Sequence, residues 1–328
     1  ALRERGVTVT FAGSPDRVEA RLVPEAGYEL DTFEISGFPR RPSLALLRSL
    51  LLAGRAPRAC AAILKKRRPD VVLGGGGYVA GPMIYAAWRR KVPTALTEAD
   101  AHLGLANRLA APFARRIFLA YDIAGRDGGK YRVTGRPVPA EHRGVAQDEG
   151  RRRFSLPERG PVLAFFGALA GARSLNDFAV ETYGDAGPAV LHVSGERDYE
   201  RLRARVHRDD YVLVPSTNEF GAALAAPDLA ISRAGGTVWE LAAAGTPAVL
   251  VPYPHATSDH QMLNARHFER GGGAIVVPET ELRSVPGVVA ALLGEPSRLA
   301  SMREAMLSMA RPDAADEIAE ELIALASA

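Results

Sequence analysis

Short apolar runs alternate with longer stretches of helical periodicity along almost the whole chain. Uninterrupted apolar runs of this kind are typical of parallel strands, which helices bury on both faces. The pattern therefore predicts an α/β fold, with strands over 7–12, 70–74, 93–97, 116–120, 161–166, 188–193, 211–214, 228–232, 247–251 and 274–277.

One segment interrupts the alternation. GRPVPAEHRG (135–144) combines glycine, two prolines and charged residues, a composition typical of a linker. A chain of 328 residues also suits two domains of about 150 residues each. We predict two Rossmann-like domains facing a cleft, over 1–139 and 140–312, and an acidic amphipathic helix over 313–328.

Composition and charge restrict the classes of protein to which the chain can belong. No apolar run approaches the roughly 20 residues that a membrane span needs, and the single cysteine, Cys60, allows no internal disulfide. Residues 1–139 carry 23 Lys and Arg against 12 Asp and Glu, whereas the remainder is acidic. The basic half points to an anionic partner, which could be nucleic acid, anionic lipid or a phosphorylated substrate.

The most informative stretch is ISRAGGTVWELAAAGTPAVLVPYPHATSDHQMLNA (231–265). A glycine-rich loop follows its first strand, and Glu240 lies in the first turn of the next helix. A carboxylate there can accept two hydrogen bonds from a ribose diol, although stabilising the helix N-terminus is the simpler interpretation. A second polar loop follows the next strand and leads to His260, Gln261 and Asn264, whose side chains suit sugar hydroxyls. Two polar loops at successive strand ends favour a binding site.

Two further glycine-rich loops follow predicted strands. GGGGYVAGP (74–82) and FFGALAGARSLND (165–177) each stand between a strand and a helix, where backbone N–H groups can approach a phosphate. An ordinary tight turn explains each loop about as well.

Residues 40–68 contain nine Arg and Lys and no acid, with leucines between them. Such a segment suits an anionic membrane surface, and Trp88 suits the headgroup layer. A helix packed on the sheet with a solvated basic face is the alternative, and scarce aromatic residues disfavour nucleic acid. The candidate membrane-facing residues are Arg48, Leu51, Arg55 and Trp88.

Together these motifs resemble the MurG family. The stretch 231–265 resembles its donor-binding signature, PDVVLGGGGYVAGP (69–82) its second glycine loop, and TGRPVP (134–139) its interdomain Gly-Asn-Pro-Val-Arg. PDRVEARLVPEAGYELDTFEISGF (15–38) resembles its early segment, and GARSLN (171–176) follows its third glycine loop. The resemblance covers nearly the whole chain.

The resemblance implies a GT-B fold whose last helix returns to the N-terminal domain. It implies an inverting transfer of N-acetylglucosamine from UDP-GlcNAc to the undecaprenyl-linked acceptor lipid I, forming lipid II for peptidoglycan. It implies no cofactor, no metal in the chemical step and no nucleic acid, and a peripheral position on the cytoplasmic face of the bacterial membrane.

The resemblance also implies roles for residues. Glu240 would hold the uridine ribose, and Thr217 would lie where backbone atoms meet the uracil. The implied diphosphate residues are Gly235, Gly236 and Thr237, and Gly171 is a further candidate donor-binding residue. The implied sugar residues are His260, Gln261 and Asn264. The implied acceptor residues are Gly76, Gly77, Tyr78 and Asp100.

The chain departs from the family pattern on the acceptor side. The family's first loop, Gly-Gly-Thr-Gly-Gly-His, would precede Ala1, so we expect a missing strand and loop there. Where the family reads His-Glu-Gln-Asn, the chain has Thr97-Glu98-Ala99-Asp100, and Arg136 and Pro139 replace the Asn and Arg of the interdomain motif. Glu98 is then the candidate general base, although it could instead cap the following helix or position the acceptor.

Three alternatives stay open. The protein could be another GT-B transferase with a different lipid or natural-product acceptor, or a UDP-GlcNAc 2-epimerase. It could also be a protein that binds UDP-GlcNAc without turnover.

Overall fold

The computed structural model describes residues 1–36, 44–167 and 172–327, without the side chains of 44–50 and 53. The chain divides into two compact units. The first consists of Ala1–Gly135 and Asp313–Ala328, and the second of Arg136–Pro312. The division falls after Gly135, four residues before the predicted boundary.

The first unit contains two parallel sheets. β1 and β2 pair in one, and the other has the order β3-β4-β5-β6. Its elements are β1 (Thr10–Gly13), α1 (Glu19–Glu25), β2 (Glu29–Thr32), α2 (Leu44–Arg67), β3 (Val72–Gly74), α3 (Gly77–Arg89), β4 (Thr94–Glu98), α4 (Leu105–Ala110), β5 (Arg116–Leu119) and β6 (Tyr131–Val133), with 3-10 turns at Arg3–Arg5 and Ala111–Phe113.

The C-terminal helix (Ala314–Ala326) belongs to this first unit. Its apolar face buries Ile318 and Leu322 against Ala95 of β4 and Phe118 of β5. On its polar side Glu321 pairs with Arg116 at 2.9 Å. The apolar spacing of the helix thus packs it on the sheet, while its charged residues meet basic side chains.

The second unit contains one parallel sheet of six strands in the order β12-β11-β10-β7-β8-β9. Its elements are α5 (Gln147–Arg153), β7 (Val162–Phe166), α6 (Arg173–Tyr183), β8 (Ala189–Val193), α7 (Glu196–Arg203), β9 (Tyr211–Val214), α8 (Phe220–Ala225), β10 (Leu229–Ser232), α9 (Thr237–Ala244), β11 (Ala248–Leu250), α10 (His260–Arg270), β12 (Ala274–Val276), α11 (Val285–Leu293) and α12 (Pro296–Met309), with 3-10 turns at Ala140–His142, Thr257–Asp259 and Glu279–Ser284.

The central strands of this sheet are almost inaccessible to solvent. All five residues of β7 and all four of β10 are buried, because helices cover both faces of a parallel sheet. The core also contains polar side chains, among them His192, which is fully buried on β8. Its ring nitrogens bond to Tyr211 Oη at 2.9 Å and Asn176 Oδ1 at 3.0 Å. Burial lowers the pKa of His192 to about 3, so the ring is neutral at physiological pH.

The prediction of two parallel-sheet α/β domains is confirmed, and each predicted strand overlaps an observed strand. Two strands were missed, β2 (ELDT) and β6 (YRV). Both are short and contain no buried residue, so neither shows the apolar run by which the other strands were recognised.

Candidate functional site

The strand order of the second unit reverses direction between β7 and β10. β8 and β9 lie on one side of this pair, and β11 and β12 lie on the other. Ligands of open parallel sheets bind beyond the carboxyl ends of the strands at such a switch point. The loops that follow β7 and β10 meet this condition. Gly171, in the loop after β7, lies outside the described residues.

The loop after β10 is held by the buried side chain of Arg233. Its guanidinium donates to the carbonyl oxygen of Val251 at 3.1 Å and to Ser174 Oγ at 2.8 Å, and it pairs with Glu279 at 2.7 Å. Burial raises the pKa of Glu279, but bonds from Arg233 and Ser174 and the charge of Arg233 outweigh burial and lower that pKa. The buried Arg233 therefore connects the loop after β10 to the residue that follows β11, to α6 and to the 3-10 turn at Glu279.

The N-terminus of α9 lies at the end of this loop. Gly235, Gly236 and Thr237 are partly exposed, and no side chain caps the helix at Gly236. The first N–H groups of a helix have no partner within the helix and attract anions. These three residues, predicted for the diphosphate, are thus placed together at the switch point.

Arg136 lies directly against this helix start. A Cβ atom on Gly236 would be 2.6 Å from Cζ and Nη2 of Arg136, so the guanidinium occupies the space that a side chain would fill. Arg136 is half-buried, and within the described residues it has no ion pair or hydrogen-bonding partner. A free cation therefore lies beside the helix N-terminus.

Glu240 follows in the first turn of α9, with 21% of its side chain exposed. Its Oε1 lies 3.1 Å from Nδ1 of His142. The ring of His142 packs edge-on against Phe220, with centroids 5.4 Å apart. The predicted ribose-binding carboxylate is thus partly exposed and held by a histidine from the segment that precedes α5.

The second polar loop places two of its predicted side chains toward solvent and one inside. His260 Nδ1 donates to the carbonyl oxygen of Thr257 at 2.8 Å, and Nε2 is not part of this bond. Gln261 Oε1 accepts from the N–H of Tyr253 at 2.9 Å. Asn264 is 1% exposed, and its Nδ2 donates to the carbonyl oxygen of Ala234. Asn264 therefore holds the first loop, and its contact with a sugar hydroxyl stays a prediction.

The backbone that precedes α10 adopts an uncommon conformation. Ser258 and Asp259 both have φ of 54°, a left-handed conformation that costs energy for residues other than glycine. Such conformations concentrate at functional sites, and this pair immediately precedes His260 and Gln261.

Thr217 lies in the loop after β9 and is partly exposed. Its Oγ1 accepts from the N–H of Glu219 at 3.0 Å. The hydroxyl therefore accepts a hydrogen bond within its own turn; contact of this loop's backbone with a uracil stays a prediction.

In the first unit, the carboxylate of Glu98 organises the loop after β4. Glu98 is 8% exposed. Its Oε2 accepts from the N–H of Gly104 and from Nδ2 of Asn107, both at 2.9 Å, and its Oε1 accepts from the N–H of Asp100 at 3.3 Å. These contacts support the positioning role that the sequence left open; the role of general base stays a prediction.

The predicted acceptor residues cluster near this loop. Gly76 has φ of 87° and precedes α3, and a Cβ there would lie 3.6 Å from Nδ2 of Asn107. Gly77 is exposed and begins α3, while Tyr78 and Asp100 are partly exposed. Gly76 therefore lies beside Asn107, whose side chain and the N–H of Asp100 both bond to Glu98. Direct contact of any of these residues with an acceptor stays a prediction.

Known glycosyltransferases are similar to this chain over nearly its whole length. The models of the glycosyltransferase family 28 N-terminal and C-terminal domains match residues 1–119 and 162–318. The UDP-N-acetylglucosamine--N-acetylmuramyl-(pentapeptide) pyrophosphoryl-undecaprenol N-acetylglucosamine transferase of Salinibacter ruber is 40% identical, covering 97% of this chain and 88% of the relative. That of Rubrobacter xylanophilus is 36% identical and covers 99% and 97%.

The chain belongs to the MurG family of glycosyltransferases. Its fold is also similar to the crystal structure of MurG from Acinetobacter baumannii, with a TM-score of 0.77 at 23% identity, covering 98% of this chain and 92% of that one. The predicted family, fold class and enzyme class are confirmed.

Sequence reasoning missed two side chains that the structure connects to the predicted MurG-type sites. Neither His142 nor Asn107 lies in a motif that predicts a site. His142 contacts a residue 98 positions away and Asn107 contacts one 9 positions away, and no local pattern signals either contact. Arg136 was noticed only as a departure from the family motif.

The predicted membrane-facing residues are only partly described. Leu51 is 66% exposed, Trp88 is 47% exposed and Arg55 is also exposed; the side chain of Arg48 lies outside the described residues. Trp88 packs on Tyr85 and Phe113, which line an apolar groove of about 210 Å³. In the part of the chain that the structure describes, no helix is both long and apolar enough to cross a membrane.

The basic segment itself is partly neutralised. Lys66 and Arg67, at the end of α2, pair with Asp31, and Arg67 also pairs with Glu29. Hydrogen bonding to Arg67, against an opposing effect of burial, lowers the pKa of Asp31. These two cations are therefore engaged by β2, unlike the exposed Arg55.

Proposed function

We propose that this protein transfers N-acetylglucosamine from UDP-GlcNAc to undecaprenyl-diphosphoryl-N-acetylmuramoyl pentapeptide, forming lipid II in peptidoglycan synthesis. The acceptor 4-hydroxyl oxygen attacks the anomeric carbon, the bond from that carbon to UDP breaks, and the configuration inverts. A general base on the acceptor side takes the hydroxyl proton. The observation that carries the proposal is Glu240 in the first turn of α9, directly after Gly235 and Gly236 at the switch point of a MurG-family chain.

The donor occupies the second unit in this proposal. Glu240 accepts hydrogen bonds from the ribose hydroxyls, and the loop that contains Thr217 meets the uracil. His260 and Gln261 face the sugar hydroxyls with the polar atoms that their loop contacts leave available. Asn264 contributes by holding the loop at Ala234.

The leaving diphosphate is neutralised by the N-terminus of α9 together with Arg136. The departing UDP gains negative charge as its bond breaks, and preorganised donors at that position lower the barrier. The half-buried guanidinium against Gly236 supports this role. In the interdomain motif, Pro139 stands where the family has an arginine. Arg136 provides a cation at another position of the same motif. The proposal assigns no metal to the chemical step.

The acceptor meets the first unit at the loops around Gly76, Gly77, Tyr78 and Asp100. Glu98 positions this region through its bonds to Gly104 and Asn107. The lipid tail of the acceptor brings the first unit to the cytoplasmic face of the membrane, where the protein is peripheral. Exposed Leu51, Arg55 and Trp88 support this orientation, since basic and aromatic side chains favour anionic interfaces.

A transfer assay with UDP-GlcNAc and lipid I in detergent tests the proposal. We expect lipid II and free UDP in equal amounts. Transfer only to other acceptors would indicate a different GT-B transferase, and release of UDP with a free or epimerised sugar in the absence of acceptor would indicate an epimerase. If the donor binds and no product forms, the result would indicate a protein that binds nucleotide sugars without turnover.

A further inference from the structure

His142 connects the interdomain end of the second unit to the donor site. Its imidazole is 17% exposed, and its Nδ1 lies 3.1 Å from Oε1 of Glu240. A carboxylate at neutral pH accepts hydrogen bonds, so Nδ1 carries the proton and donates it. The bond spans 98 positions of sequence, and nothing in the local sequence of either residue indicates it.

The position of His142 is set by packing rather than by this bond alone. The 3-10 turn Ala140–His142 packs closely on α8 at Gly221. A Cβ atom on Gly221 would lie 2.9 Å from Cα of His142 and would clash with the carbonyl oxygen of Glu141. Phe220 supports one edge of the imidazole, and Phe220 itself packs on Phe166 at the end of β7. These contacts fix the position of the ring, so that Nδ1 points at the carboxylate of Glu240.

The bond leaves Glu240 able to bind a ligand. His142 occupies one lone-pair direction of Oε1, and an ionised carboxylate has about four acceptor sites. A glutamate held in one orientation loses less side-chain entropy when a ribose diol binds than a glutamate free in solvent. Fixing Glu240 before the ligand arrives is the effect expected of a positioning residue.

We propose that His142 is a positioning residue that preorganises Glu240 for the ribose of the UDP donor. The inference rests on the proposed donor role of Glu240. It makes two requirements: loss of the Nδ1 donor must weaken UDP binding, and the weakening must disappear when Glu240 is absent.

Calorimetric titration of UDP into single and double variants tests both requirements. For His142→Leu we expect the Kd to rise about fivefold to tenfold, because a Glu240 side chain that is no longer fixed loses more entropy when UDP binds. His142→Asn should stay within about twofold of wild type, since its amide nitrogen can replace Nδ1 as donor. The exposed His207 provides the matched control, His207→Leu, which should not alter the Kd.

The double variant separates positioning from a general structural role. In the Glu240→Ala background, His142→Leu should change the Kd by less than about twofold, because coupled residues are not additive. Wild type should also prefer UDP over 2′-deoxy-UDP, and His142→Leu should reduce that preference. If His142 had only a structural role, its replacement would weaken the binding of UDP and of 2′-deoxy-UDP equally. Its effect on the Kd would then be the same with and without Glu240.

The failures are distinguishable. If Glu240→Ala leaves UDP binding unchanged, the donor assignment of the proposed function fails, and the inference fails with it. If Glu240→Ala weakens binding but His142→Leu does not, the inference alone is overturned. If His142→Leu does not fold, His142→Gln replaces it in the test. The amide of the longer glutamine side chain mimics Nε2 rather than Nδ1, so the Kd of this variant should exceed that of His142→Asn. Equal Kd values for the two variants would overturn the inference.

Discussion

The guanidinium of Arg136 fills the space above Gly236 in which any larger residue would place its Cβ, 2.6 Å from Cζ. The absent side chain of Gly236 therefore permits the cation to approach the N-terminus of α9. Two positively polarised groups, the helix terminus and the guanidinium, then share one position.

Arg136→Ala should weaken UDP binding about fivefold to tenfold, because a charge-assisted contact to the diphosphate is lost. Uridine has no phosphate, so its weaker binding should not change. Calorimetry with both ligands measures the difference, and Arg159→Ala, which removes an exposed arginine of the same unit, is the control. Equal losses for uridine and UDP would place Arg136 away from the diphosphate.

Chelators should leave the rate of sugar transfer within about twofold of its untreated value, because the helix N-terminus and Arg136 stabilise the leaving UDP. The sequence contains no Asp-x-Asp pair of the kind that holds a metal–diphosphate complex. The measurement is the initial rate with EDTA and with added Mg²⁺ or Mn²⁺. Complete loss of activity in EDTA, restored by one of these ions, would refute this expectation.

Glu98→Gln should retain turnover within a few-fold of wild type. The glutamine oxygen can still accept from Gly104 and Asn107, whereas the longer 3.3 Å bond from Asp100 is lost. Glu98→Ala should lose turnover about 100-fold and show faster hydrogen exchange at the Gly104 amide, since the loop loses its acceptor. If instead the Gln variant loses about 100-fold in turnover at unchanged UDP-GlcNAc affinity, Glu98 is the general base.

Trp88→Ala should reduce binding to vesicles that contain phosphatidylglycerol by about fivefold, because an exposed indole contributes interfacial affinity. Raised salt should weaken wild-type binding, as expected for basic residues near anionic lipid. Co-sedimentation measures both effects. Leu263→Ala, an exposed apolar residue of the second unit, should bind as wild type does; a similar loss there would argue against a membrane surface at Trp88.

Acidification should destabilise the protein through His192. Its pKa is about 3 in the folded state against an ordinary 6.5, so below pH 6.5 the unfolded chain binds a proton that the folded chain does not. Stability is therefore lost progressively as the pH falls from about 6.5 toward 3, by about 2 kcal/mol at pH 5.

Denaturant unfolding of wild type and His192→Phe at pH 7.5 and pH 5 measures this loss. The variant leaves Tyr211 and Asn176 without their partner, so it is less stable at pH 7.5. Because it lacks the titrating group, its deficit should shrink at pH 5. A deficit that stays constant between the two pH values would show that His192 does not contribute to the acid sensitivity.

The sequence by itself determined the class of fold, because continuously apolar strands such as β7 and β10 can be buried only in a parallel sheet covered by helices. It also determined the donor loop: Gly235, Gly236 and Glu240 are close in sequence, so their spacing already places them at one strand end. The edge strands β2 and β6 escaped this reasoning, since partial exposure removes the apolar signal that marks a buried strand.

Only the tertiary structure decided which residues of different elements contact each other. His142 reaches Glu240, Arg136 reaches Gly236, and Asn107 reaches Glu98. Such contacts depend on how loops from different strands converge at one edge of a sheet. Hydrophobic periodicity specifies the strands and helices, but no local periodicity encodes the path of the loops that join them.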